Sequence, residues 1–398
     1  MPLTLSNKAR KIKPSSTLSI TADANALKAS GVDVVGFTVG EPDFNTPTHI
    51  SDYAIQAIKD GFTKYTAASG ILELKEAICT KLHKFNHIDY APNQIVVSNG
   101  AKHSLTNIFE AILNPGDEVI IPVPYWLTYP EIVKLADGIP VFIESTQDSQ
   151  YKITADQIRA VTTENTKALI LNTPSNPTGM LYTEQELREI AQVAIELDFY
   201  IIADEMYEYL TYDKNEHISI ASLSPEIYER TITCSGISKS YAMTGWRIGY
   251  TASSVEIARL MDGIQSHQTS NPCSISQKAA YEAMMGDQQA MFDMVSEFEK
   301  RKNYMYQRLC QMPYIRLLEP QGAFYMYINC EALLRKLYKN KILTTVYEVV
   351  DILLHEYYVA VIPCEDFGAK NYIRLSFATS MDSISKGLDR IETFLNQI

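Results

Sequence analysis

The sequence predicts an α/β protein whose mainly parallel sheet is covered by helices on both faces, followed by a smaller α+β domain. Three observations carry this expectation. Between about residues 95 and 252, short continuous apolar runs alternate with amphipathic segments, the pattern of strands buried on both faces. After residue 285 the texture changes to a charged helical stretch and scattered short strands, which marks a second unit. Finally, 398 residues, 46% hydrophobic and 21% charged, suffice for two or three domains with large cores. That mixture excludes disordered, collagen-like and coiled-coil chains.

The elements follow in order. Ile95-Val96-Val97 reads as a strand, and Lys102 to Leu113 as a helix closed by the turn Asn114-Pro115-Gly116-Asp117. Val119 to Ile121, Val141 to Ile143, Ala168 to Leu171 and Tyr200 to Ala203 are further strands. Between the last two, Thr183 to Leu197 places Leu187, Ile190, Ala191 and Ala194 at helical spacing, with Thr183 and Glu186 as a capping box. In the second unit, Phe292 to Arg308 predicts a helix, followed by the run Ala323 to Ile328 and a helix over Val346 to His355. Strands near Val359 to Ile362 and Tyr372 to Phe377 then lead to a terminal helix from Asp382. The basic stretch Arg335 to Lys341 is expected to be a solvated helix end and loop rather than a binding patch.

Charge and cysteine usage narrow the function classes. There are 35 basic and 47 acidic residues, a formal net charge of −12, so nucleic acid is not an expected partner. Cys79, Cys234, Cys273, Cys310, Cys330 and Cys364 are scattered, without a C-x-x-C pair or metal-ligand spacing. They are expected to be buried free thiols in a reducing cytoplasm, with no metal. The segment Met1 to Ser16 lacks the apolar core of a signal peptide. No apolar run reaches the roughly 20 residues of a membrane span. A cytoplasmic protein that uses no membrane is the expectation.

In parallel sheets, ligands gather at the carboxyl ends of strands. The strand ending at Ala203 leads into Asp204-Glu205-Met206-Tyr207. A carboxylate there suits a cationic ring nitrogen, a metal or a ribose hydroxyl, against the blander role of a helix N-cap. The preceding strand runs into Asn172-Thr173-Pro174-Ser175-Asn176-Pro177-Thr178-Gly179. This rigid loop fixes a side-chain amide, and Asn176-Pro177 is a candidate cis bond. Ser98-Asn99-Gly100-Ala101-Lys102 opens a helix as a short anion cup, though without the nucleoside-triphosphate loop pattern. The sharpest stretch runs from Ser235 to Tyr250. Lys239 and Arg247 sit there among hydroxyls, glycines and aromatics, with no other charge. A lysine in such a pocket has a depressed pKa and becomes a nucleophile able to form a Schiff base. Arg247 offers a fork suited to phosphate.

Ser238-Lys239 followed by Gly245-Trp246-Arg247-Ile248-Gly249 resembles the cofactor-lysine signature of class I pyridoxal-phosphate aminotransferases. The resemblance extends in order along nearly the whole chain. It takes in Val39-Gly40-Glu41-Pro42-Asp43-Phe44, Tyr65 before Ala68-Ser69-Gly70, Pro124-Tyr125-Trp126, Ser175 to Gly179, Asp204 to Tyr207 and Ile373-Arg374-Leu375-Ser376. The nearest subgroup is the bacterial aspartate aminotransferases with a Gly-Ala-Lys or Gly-Gly-Lys loop. The family fold is a fold-type-I transferase with a mainly parallel seven-stranded sheet in the large domain. It implies an arm with part of the small domain over 1–45, a large cofactor domain over 46–285 and a small domain over 286–398.

The resemblance also implies roles. Lys239 carries pyridoxal 5′-phosphate and, once displaced, moves the proton at the substrate Cα. Asp204 pairs with the ring nitrogen, Tyr207 and Asn176 hold the ring oxygen, and Trp126 stacks on the ring. The phosphate rests on Gly100, Ala101, Lys102, Ser238 and Arg247, with Tyr65 reaching in from a partner subunit across a homodimer. Arg374, Gly40 and Asn176 take the substrate α-carboxylate, and Lys102 its distal carboxylate. One departure is Gly236, where the family often has serine, so one phosphate contact is missing. The expected reaction exchanges an amino group between aspartate and 2-oxoglutarate by a ping-pong route. The alternative on the same fold is an aminotransferase for prephenate or aromatic amino acids, and a lyase using the same cofactor comes third. Aminotransferase-like transcription regulators carry a basic DNA-binding segment ahead of this pattern, which here starts almost at once. A cofactor-free interaction protein has no reason to keep Lys239, Asp204 and Arg247 together.

Overall fold

The computed structural model describes residues 4–14 and 16–398. Its central sheet has seven strands: β1 (Ile95–Ser98), β2 (Glu118–Val123), β3 (Ile139–Glu144), β4 (Thr166–Asn172), β5 (Tyr200–Asp204), β6 (Thr231–Gly236) and β7 (Gly249–Ala252). Their spatial order is β1-β7-β6-β5-β4-β2-β3. Only β7 runs against its neighbours β1 and β6; the remaining pairings are parallel. The two-residue period sorts the apolar side chains onto two faces. Ile121, Ile170, Ile202 and Ile232 join Leu105, Ile108 and Phe109 of the helix Ala101–Ile112. On the opposite face, Ile120, Leu169, Leu171 and Ile201 meet Leu187, Ile190 and Ala194 of the helix Glu184–Leu197. That second helix starts in the expected capping box: the Thr183 hydroxyl accepts from the Glu186 N–H at 3.3 Å, and Glu186 Oε2 accepts from the Thr183 N–H at 2.7 Å.

Strands β6 and β7 were not among the expected strands, for a physical reason. Thr231, Thr233 and Ser235 interrupt the apolar run of β6, yet all three are buried. A smaller antiparallel sheet, ordered β10-β11-β9-β8, is built from β8 (Arg316–Leu317), β9 (Tyr325–Asn329), β10 (Ile362–Pro363) and β11 (Tyr372–Ser376). It shares a core with the helices Gln289–Leu309, Val346–His355 and Met381–Leu395 through Phe298, Leu353 and Leu388. Val35–Gly36 pairs in parallel with Val359–Ala360, so an early segment is built into this late unit. The basic stretch forms a hairpin, Leu337–Tyr338 against Lys341–Ile342, rather than a helix end. Lys339 pairs with Glu356 and Lys341 with Glu348. Among the described residues no helix is long and apolar enough to cross a membrane.

The turn leaving β5 is fixed by a buried ion pair. Lys81 Nζ lies 2.5 Å from Glu208 Oε1, with the two side chains 4% and 6% exposed. Asn86 accepts from Lys81 at 2.8 Å and donates to Glu208 at 2.8 Å, and the Ser235 hydroxyl donates to Glu208 at 2.8 Å. A buried charge stripped of its partner is costly, whereas removing both charges costs far less. Lys81→Met is therefore expected to lower the urea-derived unfolding free energy by about 3–5 kcal/mol. The double change Lys81→Met/Glu208→Gln should lose less than the single one. Losses that simply add would show that the pair is not coupled.

Candidate active site

The carboxyl ends of β1, β4, β5 and β6 converge where the smaller sheet meets the large one, and a cavity of about 310 Å³ opens there. Strand register does the assembling: Asn172 stands beside Asp204, and Asp204 beside Cys234. Eleven expected residues line the cavity: Gly40, Ala101, Lys102, Trp126, Asn176, Asp204, Tyr207, Ser238, Lys239, Arg247 and Arg374. Tyr65 does not; it is 90% exposed on the surface of the chain. Gly100 lies at the rim. Its φ of +84° is a left-handed value that glycine adopts freely. A Cβ there would stand 2.3 Å from Arg247 Nη2, so the missing side chain is what lets the guanidinium lie against the start of the helix Ala101–Ile112. No side chain caps that helix, and its first N–H groups and dipole favour an anion.

Asp204 does not cap a helix. It ends β5 and leads into a turn, accepting from the Tyr129 hydroxyl at 2.7 Å and the Met206 N–H at 3.2 Å. Burial pushes its carboxyl up to about 6, against the pull of those two donors. A carboxylate in that state is stabilised by any cationic N–H brought to it. Asn176 sits in the proline loop, and the Asn176-Pro177 bond is cis as expected. Its Oδ1 accepts from Arg374 Nη1 at 2.9 Å, while Nη2 of Arg374 donates to the Thr38 carbonyl at 3.2 Å. The absent hydroxyl at Gly236 follows from strand packing. A Cβ there would lie 2.9 Å from the Ile248 carbonyl oxygen and 3.0 Å from Gly249 Cα, so a serine would force the strands apart.

Four cations face this one space: Lys102, Lys239, Arg247 and Arg374. Their contacts are neutral. Lys239 Nζ donates to the Gly40 carbonyl at 2.5 Å, and Arg247 to the Thr244 carbonyl at 2.9 Å. Lys102 Nζ stands 5.0 Å from the centre of the Trp126 ring. Arg374 is buried, and its Nε has no partner among the described residues. Among the described residues, none of the four is paired with a carboxylate. Burial lowers the Lys239 amine to about 8; Glu41 opposes the shift, and Arg247 and Arg374 add to it. Lys102 is lowered by burial and then by Arg247.

Sequence reasoning missed Tyr129, Tyr325 and the Thr38 carbonyl, along with Thr17 and Leu18 from the helix Ser16–Ala29. Tyr129 and Tyr325 sit in apolar or aromatic runs that read as core, and they are indeed buried. Their hydroxyls meet Asp204 and Tyr207, and the Tyr325 ring face meets Arg374. Backbone carbonyls leave no mark in a sequence.

A cavity at the strand ends, a low-pKa lysine and a ring of unpaired cations define an enzyme site. The chain belongs to the class I and II aminotransferases, whose family description matches residues 32–391. It is 48% identical over 391 residues to the aspartate aminotransferase of Bacillus sp. (strain YM-2), covering 98% of this chain and 99% of the relative. It is 42% identical over 395 residues to the aspartate/prephenate aminotransferase of Nitrosomonas europaea, covering 98% and 100%. The crystal structure of the aspartate aminotransferase from Rhizobium meliloti superposes with a TM-score of 0.96 at 37% identity, covering all of both chains.

The lysine can be titrated directly. At pH 7.5 an amine with a pKa of about 8 is about 24% neutral, against about 0.1% for an ordinary lysine. In the chain without cofactor, labelling of Lys239 by an amine-selective reagent, followed by mass spectrometry, should rise with a midpoint near pH 8. A midpoint above pH 10 would remove the basis for its reactivity.

Proposed function

We propose that the chain is an aspartate aminotransferase. It transfers the amino group of L-aspartate to 2-oxoglutarate, giving oxaloacetate and L-glutamate in two half-reactions, with pyridoxal 5′-phosphate as resident cofactor. The observation that carries this reading is the set of four cations without carboxylate partners around one cavity. A dicarboxylate substrate and a phosphate-bearing cofactor together supply the anions that such a site lacks.

The residues present fit the cofactor. Its aldehyde needs an amine with a sizeable neutral fraction near physiological pH, which Lys239 provides. Its phosphate needs a cradle; Gly100, the helix start at Ala101 and Lys102, Ser238 and Arg247 offer one. Its ring nitrogen needs a buried carboxylate, and Asp204 has the raised pKa of one that gains from a cationic partner. Tyr207 and Asn176 would hold the ring oxygen, and Trp126 would cover the ring face. When bound, the cofactor supplies the electron sink that makes the Cα proton acidic. The protein does the rest. Arg374 holds the α-carboxylate as a fork, helped by Gly40 and Asn176, and so sets the orientation of Cα. Lys239 Nζ removes and returns the proton at Cα, a role worth roughly 10²–10⁴-fold. Lys102 meets the distal carboxylate. The buried walls of Tyr129, Tyr207 and Tyr325 keep water from the reacting carbon.

A homodimer with shared sites belongs to the same proposal, Tyr65 entering the partner's cavity from its exposed position. So do the division of the chain into 1–45, 46–285 and 286–398 and a cytoplasmic location, which the six free cysteines support. Only Cys234, Cys330 and Cys364 are buried as expected; Cys79 is half-buried, and Cys273 and Cys310 are exposed. A second reading, an enzyme that also accepts prephenate, draws on the name of the Nitrosomonas relative. Turnover with prephenate in place of 2-oxoglutarate or oxaloacetate tests it.

The main test is spectroscopic. Aspartate added alone to the pyridoxal-phosphate-loaded protein should bleach the visible absorbance of the lysine-bound cofactor, and 2-oxoglutarate should restore it. Absorbance that aspartate leaves unchanged, but an aromatic donor bleaches, would overturn the substrate and keep the reaction class. Replacing Lys102 by serine should lower kcat/KM for aspartate by about 10- to 150-fold, the worth of a charge-assisted hydrogen bond. Aromatic donors should lose much less; equal losses would remove Lys102 from the distal-carboxylate role.

A further inference from the structure

Tyr325 opens β9 and is 1% exposed, with its polar end turned into the cavity. Its hydroxyl lies 2.9 Å from the Tyr207 hydroxyl, which has no other side-chain partner among the described residues. The two rings meet edge to face, with centroids 5.9 Å apart. The same ring carries the Arg374 guanidinium, whose carbon stands 4.3 Å from the ring centre. Gly40 passes alongside: a Cβ there would sit 2.9 Å from the Tyr325 hydroxyl. One side chain of the smaller sheet therefore touches Tyr207, proposed for the cofactor ring oxygen, and two of the three groups proposed for the α-carboxylate, Arg374 and Gly40. A buried tyrosine needs only one hydrogen bond to be satisfied, so a purely structural role accounts for neither the guanidinium on its face nor the glycine at its tip.

We infer that Tyr325 is a positioning residue with two separable actions. Its hydroxyl donates to Tyr207 Oη, which turns the Tyr207 proton into the cavity as a donor and strengthens it. Its ring face sets the plane of the Arg374 guanidinium. The cation is thereby held on an aromatic surface and two neutral acceptors, with its outer edge left for a carboxylate. The assignment rests on the aminotransferase reading for the first action only.

Two variants separate the actions. Tyr325→Phe keeps the ring and deletes the hydroxyl; Tyr325→Leu deletes both. The first readout is the pH titration of the visible absorbance of the pyridoxal-phosphate-loaded protein. A weaker donor at Tyr207 leaves the ring oxygen more basic, so the neighbouring proton is held more tightly. The midpoint should rise by about 0.4–1 pH unit in both variants, the worth of one hydrogen bond. The second readout is the affinity of the cofactor-free chain for succinate, measured by calorimetry. Tyr325→Leu should weaken it about 2- to 30-fold, the range of a cation–π contact, while Tyr325→Phe stays within about twofold of wild type. An unmoved midpoint in Tyr325→Phe overturns the hydroxyl's action. Succinate binding by Tyr325→Leu equal to wild type overturns the ring's, as do equal losses in both variants, which mark a general structural role. If the wild-type protein shows no visible cofactor absorbance, the proposed function falls; the succinate comparison needs no cofactor and still decides the ring's part.

Discussion

Positive charge left without carboxylate partners around one cavity governs this structure. The protein as a whole is acidic, with a net charge of −12, yet the cavity at the strand ends collects four cations and one carboxylate. Arg374, which is buried, and Lys239, which is half-buried, cost free energy unless an anion is nearby, while Lys102 and Arg247 keep contact with solvent. The fold accepts that cost by offering only carbonyls, amides and ring faces as partners. Such partners steady a cation without neutralising it, so the attraction for an incoming anion is kept. Placing carboxylates against Lys102 or Arg374 would raise the stability of the chain and close the site to its ligands.

The sheet makes this arrangement possible by aligning chain segments that are remote in sequence. Parallel neighbours end on one edge, so Asn172, Asp204 and Gly236 deliver three different loops to a single rim. The antiparallel strand β7 brings Gly249 under the start of the helix Ala101–Ile112, where a Cβ would lie 2.3 Å from the Ala101 nitrogen. Behind the rim, the Lys81–Glu208 pair fixes the turn from the far side. Asp204 and Tyr207 thus face the cavity, while Glu205 and Glu208 on the same turn face a buried polar network. This sorting keeps the acidic side chains beside Asp204 out of the cation-lined space.

Much of this was legible in the sequence, because the strongest signals are local. The apolar runs of β2, β4 and β5 and the Thr183–Glu186 box need no tertiary context to be read, and Lys239 among uncharged neighbours announces an unusual amine. What stayed hidden depends on long-range packing. The hydroxyl-rich strand β6 becomes a core strand only because β5 and β7 cover its edges. The basic stretch at Arg335 to Lys341 reads as a solvated helix end, and only the partners Glu348 and Glu356 show it to be a paired hairpin. Tyr129 and Tyr325 resemble any other aromatic core residue until Asp204 and Tyr207 are placed at their tips.

The pairing of Val35–Gly36 with Val359–Ala360 has a consequence for how the protein is made. Thr38 and Gly40, which follow the first of these strands, supply carbonyls to Arg374 and Lys239. On the ribosome the segment around residue 38 emerges more than three hundred residues before Arg374. The large sheet can close early from neighbouring strands, but the end of the cavity that holds Arg374 waits for the last stretch of translation. Throughout that interval an apolar N-terminal segment, with Phe37 among its side chains, has no strand to join. Such a chain completes its cavity only late in synthesis, and until then the segment around Phe37 waits without the strand it packs beside.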